Sequence, residues 1–152
     1  MPELRIKKPD RYVLALLVII AINIVLKWQF FCGLVQADDF SYGVYSYTMF
    51  RDIWPWSEDM DFRMLRFGFM LPAALLFKIF PPTEFVAVLY PMMASFGTIV
   101  LVYVIGKLLF GPMAGIMSAF IIATFPSDVI FGTMLLPDIV VPFYLCGTVL
   151  FF

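Results

Sequence analysis

"YVLALLVIIAINIVLKWQFF", residues 12–31, decides what kind of molecule this is. Lys27 is its only charged residue. Coiled as a helix at about 1.5 Å per residue, the stretch reaches roughly 30 Å, the thickness of a bilayer's hydrocarbon core. It is preceded by "MPELRIKKPDR", in which Arg5, Lys7, Lys8 and Arg11 form a basic cluster. By the positive-inside tendency this end stays in the cytoplasm. The apolar run is too long for the core of a signal peptide, and Cys32-Gly33 is a poor cleavage site, so a retained first span is expected. Lys27 and Trp28, near its outer end, are expected to snorkel and anchor at the interface.

The composition agrees. Of 152 residues, 63% are hydrophobic and 14% charged, and the mean hydropathy is +0.98. A soluble domain of this size could not hide so much apolar surface, so lipid is the solvent for most of the chain. A net charge of -1 gives no basis for nucleic-acid binding. The absence of histidine removes Ser-His and Cys-His catalysis and the commonest zinc ligand. Cys32 and Cys146 have no metal-ligand spacing and read as small buried hydrophobes, not bridged to each other.

Outward from the first span, residues 32–84 form an outer loop that holds most of the charge. Residues 40–50 are rich in Tyr and Phe without proline, and read as an interfacial helix with its rings at headgroup depth. "WPWSEDMD", residues 54–61, reads as a turn with tryptophan anchors. Residues 67–80 are apolar but interrupted by Pro72 and closed by Lys78 and Pro81-Pro82, too short to cross comfortably. They are expected to dip into the membrane from the outer face. Residues 85–109 are long enough to span, with Lys107 at a cytoplasmic exit and Gly111-Pro112 as a tight turn. Residues 112–125 return, Pro126-Ser127-Asp128 mark the outer interface, and residues 137–152 begin a fourth span. The expected fold is an all-α polytopic membrane protein with no soluble domain or internal repeat. Because "VLFF" ends inside an apolar run, the chain is expected to be the front portion of a longer protein, inactive alone.

"LVQADDFSYG", residues 34–43, places Asp38 and Asp39 at the membrane surface among aromatic residues. A carboxylate there can serve as general base on an acceptor hydroxyl or amine. An acidic neighbour can hold the acceptor or a divalent cation, Mg or Mn, which stays optional because no metal motif is present. Arg63 and Arg66 in "FRMLRFG" are the cations best suited to a phosphate, through the planar guanidinium fork. The alternative for each is an ordinary interfacial arginine paired with Asp59 or Asp61. Asp138 in "LLPDIVV" is an ionisable residue in an apolar stretch, a functional candidate or simply a favourable acid in a helix's first turn. Glu58, Asp59 and Asp61 read as a solvated acidic patch, with Asp61 the one of interest.

The order of these features resembles the N-terminal part of a GT-C membrane glycosyltransferase: a basic start and one span, "ADDFSY" at the outer exit, "LRFGFMLPAALLFKIF", a span ending "VIGKLLFG", then "LLPD" opening another. It is most similar to the dolichyl-phosphate-mannose protein mannosyltransferase-like family, which includes the lipid A aminoarabinose transferases. The resemblance implies a multi-pass protein of the plasma (inner) membrane with a cytoplasmic N-terminus and a periplasmic or extracellular active face. It implies transfer of a sugar from a polyprenyl-phosphate donor to a lipid, glycan or protein acceptor. The family's acidic pair, usually Asp then Glu, falls on Asp38 and Asp39. Its arginine before the short outer helix falls on Arg66, here followed by Phe67-Gly68 with the proline delayed to Pro72. Its Pro-Asp falls on Pro137-Asp138, which with Asp61 would shape the site. A transporter or channel piece, or a small scaffold protein without catalysis, are the other classes the sequence leaves open.

Overall fold

The structure, a computed structural model, describes residues 11–35, 37–51 and 62–152. Among these every regular element is helical, as expected for an all-α membrane protein. Helix α1 runs Arg11–Gln29, about 28 Å long. Val13, Leu14, Leu17, Val18 and Val25 face outward, apolar surface that only lipid or another apolar surface could cover. Ile19, Asn23 and Lys27, spaced by four, form the buried face. The chain leaves α1 through Gly33, whose φ of +71° is readily adopted by glycine.

Helix α2 runs Ala37–Phe50. It begins ahead of the interfacial helix read at residues 40–50, so Asp38 and Asp39 lie in its first turn and not before it. Two carboxylates at a helix N-terminus complement the macrodipole, a start signal that the aromatic composition hid. A 3-10 turn, Phe62–Leu65, leads into α3, Phe67–Ile79. This helix packs between α2 and the next helix through Phe69, Met70, Ala73 and Phe77, against Tyr42 and Val88. Pro72 cannot donate to the carbonyl of Gly68, and the Tyr90 hydroxyl approaches that carbonyl at 3.5 Å instead.

Helix α4, Glu84–Phe110, is about 40 Å long and is capped by Thr83, whose hydroxyl accepts from Val86 N–H at 3.3 Å. It is followed at once by α5, Pro112–Thr124. The two form a tight hairpin because Gly106 and Gly115 meet without side chains: a Cβ on Gly106 would stand 2.9 Å from the Gly115 Cα. Short helix α6, Pro126–Phe131, a buried stretch at residues 132–136 and a 3-10 turn, Pro137–Ile139, lead to α7, Val140–Phe151, which packs on α4. Among the described residues two helices, α1 and α4, are long and apolar enough to cross a membrane. The spans read at 112–125 and 137–152 correspond to shorter apolar helices. The turn read at residues 54–61, with Glu58, Asp59 and Asp61, lies outside the described residues, as does the basic stretch before Arg11.

Candidate functional site

The first turn of α2 and the turn before α3 bring one acidic and two basic side chains together. Asp38, half exposed, accepts from Arg63 Nη2 through Oδ1 at 2.6 Å. Arg63 therefore pairs with Asp38, across 25 residues of chain. Arg66 donates to the Tyr42 hydroxyl, one helical turn beyond Asp38, and its guanidinium lies 5.7 Å from the Phe62 ring centroid. Burial of Tyr42 raises its phenol above the ordinary range, with Asp38 adding to the rise and Arg66 and Arg63 opposing it. The phenol therefore stays protonated at neutral pH. Its oxygen accepts from Arg66, and its own proton can still be donated.

Asp39 behaves differently. It is fully buried, with Oδ2 accepting from Val35 N–H at 2.9 Å and Oδ1 from Phe40 N–H at 2.8 Å. This carboxylate caps the start of α2, much as the acidic partner of a capping box reaches back along the chain. Asp39 is turned to backbone amides and Asp38 Oδ1 to a guanidinium, so Asp38 Oδ2 is the oxygen of the pair through which a divalent cation would be held. Among the described residues no group of three or more acidic or cysteine side chains gathers anywhere.

A second polar centre lies inside the bundle, and it corrects the expectation for Lys27. This lysine does not snorkel; it is fully buried. Its Nζ donates to Asp128 Oδ2 at 2.9 Å, to Asn23 Oδ1 at 2.9 Å and to the Ser95 hydroxyl. Asn23 Nδ2 donates to the Ala123 carbonyl at 2.6 Å, and the Ser95 hydroxyl donates to Asp128 at 2.7 Å. All three ammonium protons are used, so the buried charge is paired and hydrogen-bonded. Gly132 leaves the room that the Lys27 stem occupies. Asp128 is accordingly the buried partner of Lys27 on α1. Trp28 does remain exposed.

The stretch after Asp128 is tied to the exit of α1. Cys32 N–H donates to the Thr133 hydroxyl at 3.2 Å and Gly33 N–H to the Thr133 carbonyl at 3.1 Å. Asp138 follows in the 3-10 turn, exposed, at the edge of a cavity of about 300 Å³ that Thr98, Ser127, Asp128 and Phe131 also line. Asp38 and Asp138 are thus carried by segments anchored to one another. Sequence reading missed Tyr42 and the Lys27–Asp128 centre. The signals were a tyrosine four residues after Asp38, and Asn23 and Lys27 four apart on one face of an apolar helix.

A model of the dolichyl-phosphate-mannose-protein mannosyltransferase family matches residues 68–152, more than half of the chain. No curated protein and no solved structure matches it. The matched stretch runs from the second residue of α3 through α7 and includes Asp138, while Asp38, Tyr42, Arg63 and Arg66 precede it.

Proposed function

The chain belongs to the dolichyl-phosphate-mannose-protein mannosyltransferase family, a family of membrane glycosyltransferases, and from that premise we propose that it acts on a polyprenyl-phosphate-linked sugar at the outer face of the membrane. The acceptor is a lipid, glycan or protein group bearing a hydroxyl or amine. The carrying observation is the cluster of Asp38, Tyr42, Arg63 and Arg66, where one carboxylate faces solvent among groups suited to a phosphate.

Asp38 is the general base. Arg63 holds Oδ1 and fixes the carboxylate, which leaves Oδ2 to take the acceptor's proton. The acceptor atom attacks the anomeric carbon as the bond from that carbon to the phosphate oxygen breaks. The electron pair leaves with polyprenyl phosphate, whose charge Arg66 and the Tyr42 proton stabilise. A phosphate leaves without a strong acid, in keeping with a site lacking histidine. One displacement inverts the anomeric configuration. Asp39 serves by holding the turn that presents Asp38. Asp138, on the segment that follows the Thr133 anchor to the exit of α1, shapes the site.

A chromosomal Asp38→Asn substitution tests this on the protein in whatever length the cell makes it. Membranes from such cells should lose transfer from polyprenyl-phosphate-mannose, or from another sugar on the same carrier, by at least about a hundredfold, with the protein level unchanged. Retained transfer removes Asp38 from the role of base.

A further inference from the structure

We propose that the slot between α1 and α5 holds one acyl chain of an anionic phospholipid, with the lipid phosphate at Arg11. The slot encloses about 560 Å³. Leu14, Val18 and Ile22 of α1 and Met117 and Phe120 of α5 line it, and among the described residues Arg11 is the only charged group along it. The slot shares no lining residue with the cavity at Asp138, and the inference stands apart from glycosyl transfer.

The shape of the slot identifies the occupant. From Arg11 to Ile22 it runs roughly 16 Å along the helix axis, about half of a 30 Å hydrocarbon core. It ends there because the next residue, Asn23, bonds to the Ala123 carbonyl at 2.6 Å and draws the two helices together. A docked transmembrane helix needs a groove running the full thickness. An acyl chain needs one leaflet.

Charge completes the match. Arg11 donates to the Tyr12 hydroxyl at 3.0 Å, and its guanidinium lies 4.9 Å from that ring's centroid. Among the described residues no carboxylate lies within ion-pair distance of it. Against the described residues four of the five guanidinium protons remain for an acceptor, and a phosphodiester takes two in a fork. Lys107, exposed near the end of α4, sits at the same end of the bundle, since Gly106 and Gly115 hold that end of α4 against the start of α5. A guanidinium above an apolar slot one leaflet deep suits an anionic amphiphile.

The experiment is native mass spectrometry of the purified protein in detergent with added phosphatidylglycerol or phosphatidylcholine of identical chains. Phosphatidylglycerol should be retained about five times better, and Arg11→Gln should remove that preference, the effect of one basic residue at a membrane surface. Ala15→Phe, which fills the slot from α1, should lower retention of both lipids. Thermal unfolding checks that each variant is folded. Equal retention of the two lipids, a preference that survives Arg11→Gln, or retention unaffected by Ala15→Phe would each overturn the assignment. So would cross-linking that shows a second copy of the chain on this face.

Discussion

Asp38 and Asp39 are neighbours in sequence with opposite employment. A helix turns by about 100° per residue, so adjacent side chains point apart. The register of α2 sends Asp39 back under the preceding turn and leaves Asp38 outside. Replacing Asp39 with alanine strands two backbone N–H groups and should cost about 1–3 kcal/mol, read as a lower unfolding temperature in detergent. Asp38→Asn keeps the side chain's size at an exposed position and should change stability by less than about 0.5 kcal/mol. If the two costs came out reversed, the capping role would belong to Asp38. Tyr42→Phe deletes the acceptor for Arg66 and the proton offered to the leaving group. It should weaken donor binding and slow transfer by about tenfold, one hydrogen bond to a charged group, without the fall in unfolding temperature expected of Asp39→Ala. The sequence gives the acids and the arginines by type and position. Which acid faces outward depends on where the helix starts, and that start is fixed by side-chain contacts to the backbone of residues 35 and 40.

At the scale of elements, the first span is legible because lipid leaves an apolar run few alternatives. The fate of the lysine within it is not legible. Lys27 and Asp128 are 101 residues apart, and only the packing of α1 against α4 and α6 shows that each neutralises the other. A buried pair of this kind is costly to break singly. Lys27→Met should destabilise the bundle by about 3–5 kcal/mol because Asp128 is left charged in an apolar interior. The double variant Lys27→Met, Asp128→Leu should recover most of that loss. A double variant no more stable than Lys27→Met would mean that the hydrogen bonds from Asn23 and Ser95, more than the charge pairing, hold these helices. The α4–α5 hairpin has a simpler dependence, since its close approach needs no side chain on Gly106 or Gly115. At Gly115 a Cβ would meet the Tyr103 carbonyl oxygen at 2.5 Å and the Lys107 nitrogen at 2.9 Å, both backbone. Gly115→Val should therefore cost more than about 3 kcal/mol by forcing the helices apart, whereas Gly147→Ala, with open space around it, should be neutral.

For the whole molecule the decisive relation is which end of the bundle faces out. The cluster around Asp38, the exit of α1, and the turn bearing Asp138 share one end, because Thr133 binds Cys32 and Gly33. Arg11 and Lys107 share the other. The proposed donor lies on the outer face only if the first end is outside, the orientation that the positive-inside tendency of the basic residues before α1 predicts. The two native cysteines read this directly. Cys32 lies just past α1, partly exposed, and Cys146 lies within α7 among apolar neighbours of α4 and α5. In a Cys146→Ser background, a membrane-impermeant maleimide added to right-side-out vesicles should label Cys32 without permeabilisation. In a Cys32→Ser background Cys146 should stay unlabelled from either side, since its thiol faces the apolar helix interface and not water. Labelling of Cys32 only after the vesicles are opened would invert the bundle. Asp38, Tyr42 and Arg66 would then face the cytoplasm, and the donor would have to be a carrier-linked sugar on the inner leaflet. The same inversion would move the Arg11 slot to the outer leaflet without altering its fit to an anionic lipid, so vesicle labelling separates the two proposals.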